Sequence, residues 1–240
     1  MTATLSLLMG LISTQGTSGY EAIVPKTIKL LNKVCIYIKF LSIARYLIDQ
    51  IVLHREYPPE YVYYGVPNPW CQCKALRILQ FFEAPTDPGV RAQIREILAR
   101  ILSHTETTKN ANKNNASHSV LFEAINLIIH LEMDKELLSQ AASLLGKFIS
   151  AREPNTRYLG LETMSRLTSV LEDPSEHVHK LQTTIFSSLR DPDISIRRQA
   201  LNMIYGMCDR NNSQEVVSEL LEYLPTSDFA IRDELVSWHY

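Results

Sequence analysis

Asp191-Pro192-Asp193-Ile194-Ser195-Ile196-Arg197-Arg198-Gln199-Ala200-Leu201 is the stretch from which the fold can be read. A proline in the first turn of a helix gives up only an N–H that would have no partner there, and its fixed φ already suits the helix. Carboxylates beside it favour the exposed amides of that turn. After Asp193, apolar residues recur at helical spacing, with Arg197 one turn in. The peptide predicts a turn that starts a helix without using a glycine.

The same order of residues returns on either side. Glu153-Pro154-Asn155 leads into Thr156-Arg157-Tyr158-Leu159-Gly160-Leu161, and Thr226-Ser227-Asp228 leads into Phe229-Ala230-Ile231-Arg232-Asp233-Glu234-Leu235. Further upstream, Asn68-Pro69-Trp70-Cys71-Gln72-Cys73-Lys74-Ala75-Leu76 and Asn115-Ala116-Ser117-His118-Ser119-Val120-Leu121 keep the pattern more loosely. The aligned positions Lys74, His118, Arg157, Arg197 and Arg232 are 44, 39, 40 and 35 residues apart. Two helices and two loops fill such a period, close to the roughly 40 to 47 residues of HEAT and armadillo units. The fold class expected is therefore all-α, a solenoid of stacked antiparallel helix pairs, with pairs starting near Asn68, Ala116, Pro154, Pro192 and Thr226. A carboxylate in the turn and an arginine one helical turn later can bond each other, or bond the neighbouring repeat and form a ladder. Lys74, Arg157, Arg197 and Arg232 are read as structural repeat positions on that ground. For Arg197 the nearest carboxylate candidates are Asp191 and Asp193. Between Leu102 and Ser119 the periodicity fails, and the polar, Asn-rich run Thr107–Asn115 is expected to project as a loop.

Composition agrees with helices. Only 8 glycines occur in 240 residues, too few for a turn-rich sandwich, a barrel or a Gly-rich nucleotide fold. Lys and Arg number 24 against 26 Asp and Glu, a net charge of -2, which provides no whole-chain field for nucleic acid or anionic lipid. Cys35, Cys71, Cys73 and Cys208 are too sparse for a secreted disulfide scaffold, and a reducing, cytoplasmic setting is expected. The apolar start Leu5–Ile12 has no preceding Lys or Arg, against a signal peptide. In Val34–Leu53, Lys39, Arg45 and Asp49 would lie inside a bilayer, so this reads as a buried helix. The sequons at Asn115 and Asn211 are ordinary polar loops without a secretory route.

Catalytic patterns are missing. There is no Gly-x-Ser-x-Gly elbow, no His-Glu-x-x-His and no phosphate loop around Gly146-Lys147. Cys71 and Cys73, like His177 and His179, are two residues apart, which on a helix points the side chains to different faces. No catalytic, cofactor-binding, metal-ligating or lipid-binding residue is expected. Lys109 and Lys113 read as solvated lysines without the arginine or aromatic support that nucleic acid requires. Trp70, Trp238 and Tyr57-Pro58-Pro59-Glu60-Tyr61-Val62-Tyr63-Tyr64 could form an exposed aromatic surface, but the prolines favour a rigid, packed linker between helices.

Several strings, taken in order, resemble one family. These are Tyr63-Tyr64-Gly65-Val66-Pro67-Asn68-Pro69-Trp70 with Lys74-Ala75-Leu76-Arg77-Ile78-Leu79-Gln80; Asn115 to Ile125; Arg152-Glu153-Pro154-Asn155-Thr156-Arg157-Tyr158-Leu159-Gly160-Leu161-Glu162; Asp191 to Leu201; and Tyr205-Gly206-Met207-Cys208-Asp209. They resemble the alpha large subunits, or alpha-adaptins, of plasma-membrane clathrin adaptor complexes. The resemblance is collinear over most of residues 1–235, is read as a middle part of the trunk, and is weaker for large subunits of other adaptor complexes. It implies a curved helical solenoid that scaffolds a complex with a large beta chain, a medium chain and a small chain. Such a complex links cargo and phosphoinositide-bearing membrane to the clathrin coat in coated pits at the cytoplasmic face of the plasma membrane. The family's lipid-binding basic cluster, hinge and appendage lie outside this stretch, so direct membrane binding is not expected.

Two segments depart from the family: an apolar insertion around residues 34–56, and residues 236–240, where the resemblance ends. With an apolar first helix and a final helix ending at Tyr240, the chain as written is expected to self-associate, as a defective or regulatory partner. The function expected is a non-catalytic scaffold in vesicle-mediated protein transport and endocytosis. The alternatives are a helical-repeat binding module of another transport or coat complex, and a non-functional truncated paralogue.

Overall fold

The computed structural model describes residue 10 and residues 44–104, 108–171 and 175–237. The expectations for Leu5–Ile12, for residues 34–43 of the apolar insertion, for Cys35 and for Trp238 lie outside the described residues. Two compact units divide the chain, one up to Met133 and one from Asp134.

In the first unit a helix over residues 44–52 (α1) buries Ala44, Ile48 and Ile51. This part of the apolar insertion is thus a packed helix. A 3-10 turn, Pro59–Tyr61, then leads into a minimal hairpin of β1 (Val62–Tyr63) and β2 (Val66–Pro67), paired Val62 to Pro67 and Tyr63 to Val66. Its two-residue loop places Tyr64 at φ 46° and Gly65 at φ 83°. Both positive values are those of a type I′ turn, which suits glycine and costs a tyrosine strain. Helices α2 (Pro69–Leu79), α3 (Pro88–Ser103) and α4 (Ala111–His130) come next, with α2 and α3 both packed on α4. Leu76, Ile78, Leu98, Leu121, Ile125 and Ile128 are fully buried there.

The second unit contains α5 (Lys135–Ile149), α6 (Pro154–Thr168), α7 (Ser175–Ser188), α8 (Ile194–Met207), α9 (Ser213–Tyr223), a 3-10 turn Leu224–Thr226, and α10 (Phe229–Ser237). Neighbours in sequence pack as pairs, α5 with α6 and α7 with α8, and the pairs stack through α5 with α7 and α6 with α8. Helix α5 buries Leu137, Leu138, Ala141, Leu145, Phe148 and Ile149. Each large side chain of that set contributes about 1.5–3 kcal/mol over its exposed state. Gly160 permits the α5–α6 approach: a Cβ there would stand 3.1 Å from the Ile149 backbone nitrogen. The fold class is all-α, built of stacked helix pairs, as the repeat predicts.

Pro and Asp punctuate the helices as the sequence suggests. Asp87, Asp134 and Asp193 accept from Gly89, Leu137 and Ser195 backbone N–H groups, and Pro88 and Pro154 open α3 and α6. One expectation fails. Most of the Asn-rich run Thr107–Asn115 is the first turn of α4, which starts at Ala111, five residues before the expected Ala116. Asn110 caps it by accepting from Lys113 N (3.1 Å). Asn114 accepts from Thr108 N (2.8 Å) and returns a bond to Thr108 O (2.7 Å). The polar side chains that read as a loop are occupied in starting a helix.

Candidate functional site

The turns of the second unit carry a repeated guanidinium contact. Arg157 lies one turn into α6 and donates Nη1 to the carbonyls of Ala151 (3.1 Å) and Arg152 (2.7 Å), just ahead of its own helix. Its Nη2 donates to Asp191 Oδ2 of the next repeat's turn, at 2.7 Å. Arg197, in the same place on α8, donates Nη1 to the carbonyls of Asp191 (2.6 Å) and Pro192 (3.0 Å), and Nη2 to Asp228 Oδ2. Each arginine therefore closes its own turn through backbone oxygens and reaches forward to the acidic residue of the next turn. Asp191 receives Arg157 on one oxygen and the Asp193 amide on the other, so both its oxygens are engaged. Arg232 repeats the first half of the arrangement, donating Nη2 to Pro225 O (2.9 Å).

For Arg197 the carboxylate partner is Asp228, where Asp191 and Asp193 were the nearest candidates in sequence. Asp193 is occupied as the cap of α8, and the Asp191 carboxylate is taken by Arg157. In the first unit, Lys74 is half-buried on α2, and the long-range ion pair lies one turn further along, between Arg77 Nη2 and Glu123 Oε1. Gln80 Nε2 donates to Glu123 Oε2 at 3.1 Å, so the buried carboxylate is held on both oxygens. Neither Arg77 nor Glu123 stands out in the sequence. Arg77 stands one helical turn beyond the aligned Lys74, and nothing in the sequence marks Glu123.

Cys71 is buried and Cys73 half-buried on α2. Burial, with Glu123 beside it, pushes the Cys73 thiol up to about 12, which leaves it protonated and unreactive at neutral pH. His177 and His179 fall on α7 at positions whose side chains are outside those described. Among the described residues no group of three or more His, Cys, Asp or Glu is placed to hold a metal ion, and no helix is long and apolar enough to cross a membrane. Lys109 is exposed, and Lys113 is half-buried in the first turn of α4.

The aromatic run is not a packed linker. Tyr61, Tyr64 and Trp70 are about half exposed, with Tyr63 set edge-on to Tyr64 and Trp70 at ring-centroid distances of 4.7 and 4.9 Å. The tight turn is the reason: it throws Tyr64 outward at positive φ, and only Val66 of the hairpin is buried. A second exposed apolar set, Val217 and Leu221 on α9 with Phe229 on α10, lies in the other unit.

Residues 2–238 match the family model described as the adaptin N terminal region. The chain belongs to the adaptin family. It is 47% identical over 235 residues to AP-2 complex subunit alpha-1 of Arabidopsis thaliana, covering 98% of this chain and 21% of that protein. AP-2 complex subunit alpha-2 of Dictyostelium discoideum is 45% identical over 238 residues, covering 98% of this chain and 22% of that protein. AP-1 complex subunit gamma of Dictyostelium discoideum is 34% identical over 181 residues, covering 75% and 19%. The higher identity to the alpha chains accords with the alpha-like strings of the sequence, Tyr63 to Gln80 and Arg152 to Glu162 among them. The chain spans about a fifth of the length of the AP-2 alpha relatives. In this adaptin, then, the repeating arginine contacts lie within the region that the family model covers.

Proposed function

We propose that the chain acts as a non-catalytic scaffold of an alpha-type clathrin adaptor complex, in vesicle-mediated transport and endocytosis at the plasma membrane. Residues 1–235 are its stretch of adaptin trunk, with residues 34–56 and 236–240 read as departures although the family model runs on to residue 238. The observation that carries this reading is the tie between successive turns, Arg157 to Asp191 and Arg197 to Asp228, in a chain whose 47%-identical relative is named as an AP-2 alpha subunit. Here the repeat's strongest polar groups bond the repeat itself. Lys74, Arg157, Arg197 and Arg232 are accordingly structural positions, with Arg77 added to them. Side chains consumed in stacking leave the outer faces to partner chains.

The partners on this reading are a large beta chain, a medium chain and a small chain, with the clathrin coat reached indirectly. No enzymatic role, cofactor or nucleic acid belongs to it, and membrane attachment runs chiefly through other parts of the assembly. The exposed apolar side chains Val217, Leu221, Phe229, Tyr64 and Trp70 support contact with protein surfaces. Co-expression with a small adaptor chain, then affinity capture and size-exclusion chromatography, tests the proposal. Co-elution in a defined complex is expected. A chain that never captures the small subunit but binds a nuclear-localisation peptide selectively would replace this reading with that of a different helical-repeat binder.

A further inference from the structure

In the first unit a cavity of about 350 Å³ is bordered by Arg55, Arg100, His104 and Lys113, and no aspartate or glutamate is among the described residues that line it. Three segments far apart in sequence supply these groups. Arg55 comes just after α1, Arg100 and His104 stand at the end of α3, and Lys113 is in the first turn of α4. None of the four side chains makes a hydrogen bond or ion pair among the described residues. By contrast, Arg77, Arg157, Arg190 and Arg197 each meet a carboxylate. Like charges around one concavity repel each other, and the fold brings them together with no carboxylate among the described residues that line it. A cleft lined by one sign of charge focuses its field and concentrates ions of the other sign.

We propose that this cavity is a binding site for a phosphate-rich anion, one carrying two or more phosphate groups. Two guanidinium forks and an ammonium match phosphate oxygens, which accept paired, charge-assisted hydrogen bonds. One carboxylate could engage only one of the three permanent cations well, whereas adjacent phosphates reach several. The volume lies at the small end of the range for small-molecule sites, enough for a compact polyphosphate. Ile51, Val66, Ile101 and Val120 are buried around it and give an apolar wall for a ligand's carbon frame. This site does not depend on the adaptor reading, because it uses none of the turn arginines.

The test is calorimetric titration of the whole chain with inorganic pyrophosphate, with flotation on vesicles carrying a phosphoinositide bisphosphate as a second arm. Saturable binding is expected for the unaltered chain. Arg100→Gln with Lys113→Gln should weaken it by about tenfold or more, the scale of losing charge-assisted hydrogen bonds. Arg210→Gln, which removes an exposed charge in the other unit, should leave it unchanged. Lys113→Arg should retain binding, and Lys113→Gln alone serves if the double variant melts early. Pyrophosphate binding identifies a free anion as a ligand. Vesicle binding alone, lost in the same variants, identifies the source of the phosphates as a lipid headgroup at the same site. No saturable binding from either source overturns the proposal. So does an equal loss in Arg210→Gln, or tetraglutamate binding as tightly as pyrophosphate.

Discussion

The turns of the second unit and the cavity of the first hold the same side chains under opposite conditions. Arg157 meets two carbonyls and a carboxylate, and its side chain is 17% exposed beside an Asp191 that is 10% exposed. Arg55, Arg100 and Lys113 face a concavity with no carboxylate among its described lining residues. The first group sits at the interval of the repeat, and the second does not. Arg157 and Arg197, placed by the repeat, are neutralised by the next turn, whereas the cations brought together by the path of the chain stay available.

If that contrast is sound, removing a cation should matter in one place and not in the other. The largest effect is expected for Arg157→Met, which strands the little-exposed Asp191 carboxylate and two carbonyls. Urea unfolding should report a loss of about 3 kcal/mol. Arg197→Met should cost less, about 1–2 kcal/mol in the same assay, because Asp228 is 57% exposed and water can replace the guanidinium. Arg100→Gln should change stability by no more than about 0.5 kcal/mol, and relief of repulsion gives the change a stabilising sign. A loss as large as that of Arg157→Met would erase the distinction between the two regions.

The smallest effect concerns His118 on α4, whose pKa burial holds below its ordinary 6.5. The unfolded chain then binds the proton more readily, so His118 contributes its full share of stability above about pH 6.5. That share declines as pH falls from there towards the lowered folded value, and is constant below it. Unfolding measured across this window should show His118→Gln with a flatter pH profile than the unaltered chain.

Much of this architecture is legible in the residues. Pro, acidic or Asn residues at the breaks, with an arginine or, in α2, a lysine about one turn after them, place α2, α6, α8 and α10 close to where they start. These signals are local, since caps and first turns are decided by residues within four positions. What escapes is decided across the fold. Asp228 is 31 residues from Arg197, and only stacking selects it over Asp191 and Asp193. The cavity joins residues 55, 100 and 113, which no periodicity links. The Asn-rich start of α4 misleads for a different reason: asparagine serves both loops and caps, and composition cannot tell which bond its side chain makes. The exposed aromatics result from one turn type, which the pair Tyr64-Gly65 signals only weakly because tyrosine rarely takes positive φ.

Adjacent turns are tied through Arg157 and Asp191. A double-mutant cycle tests it directly, with Arg157→Met, Asp191→Asn and the pair compared by urea unfolding. Asparagine keeps an oxygen for the Asp193 amide, so the cycle isolates the ion pair. A coupling of about 1.5–3 kcal/mol is predicted, with the second substitution costing little once the first is made. Single effects that add to within about 0.3 kcal/mol would contradict it, and would mean that the turns stack through their apolar helices alone.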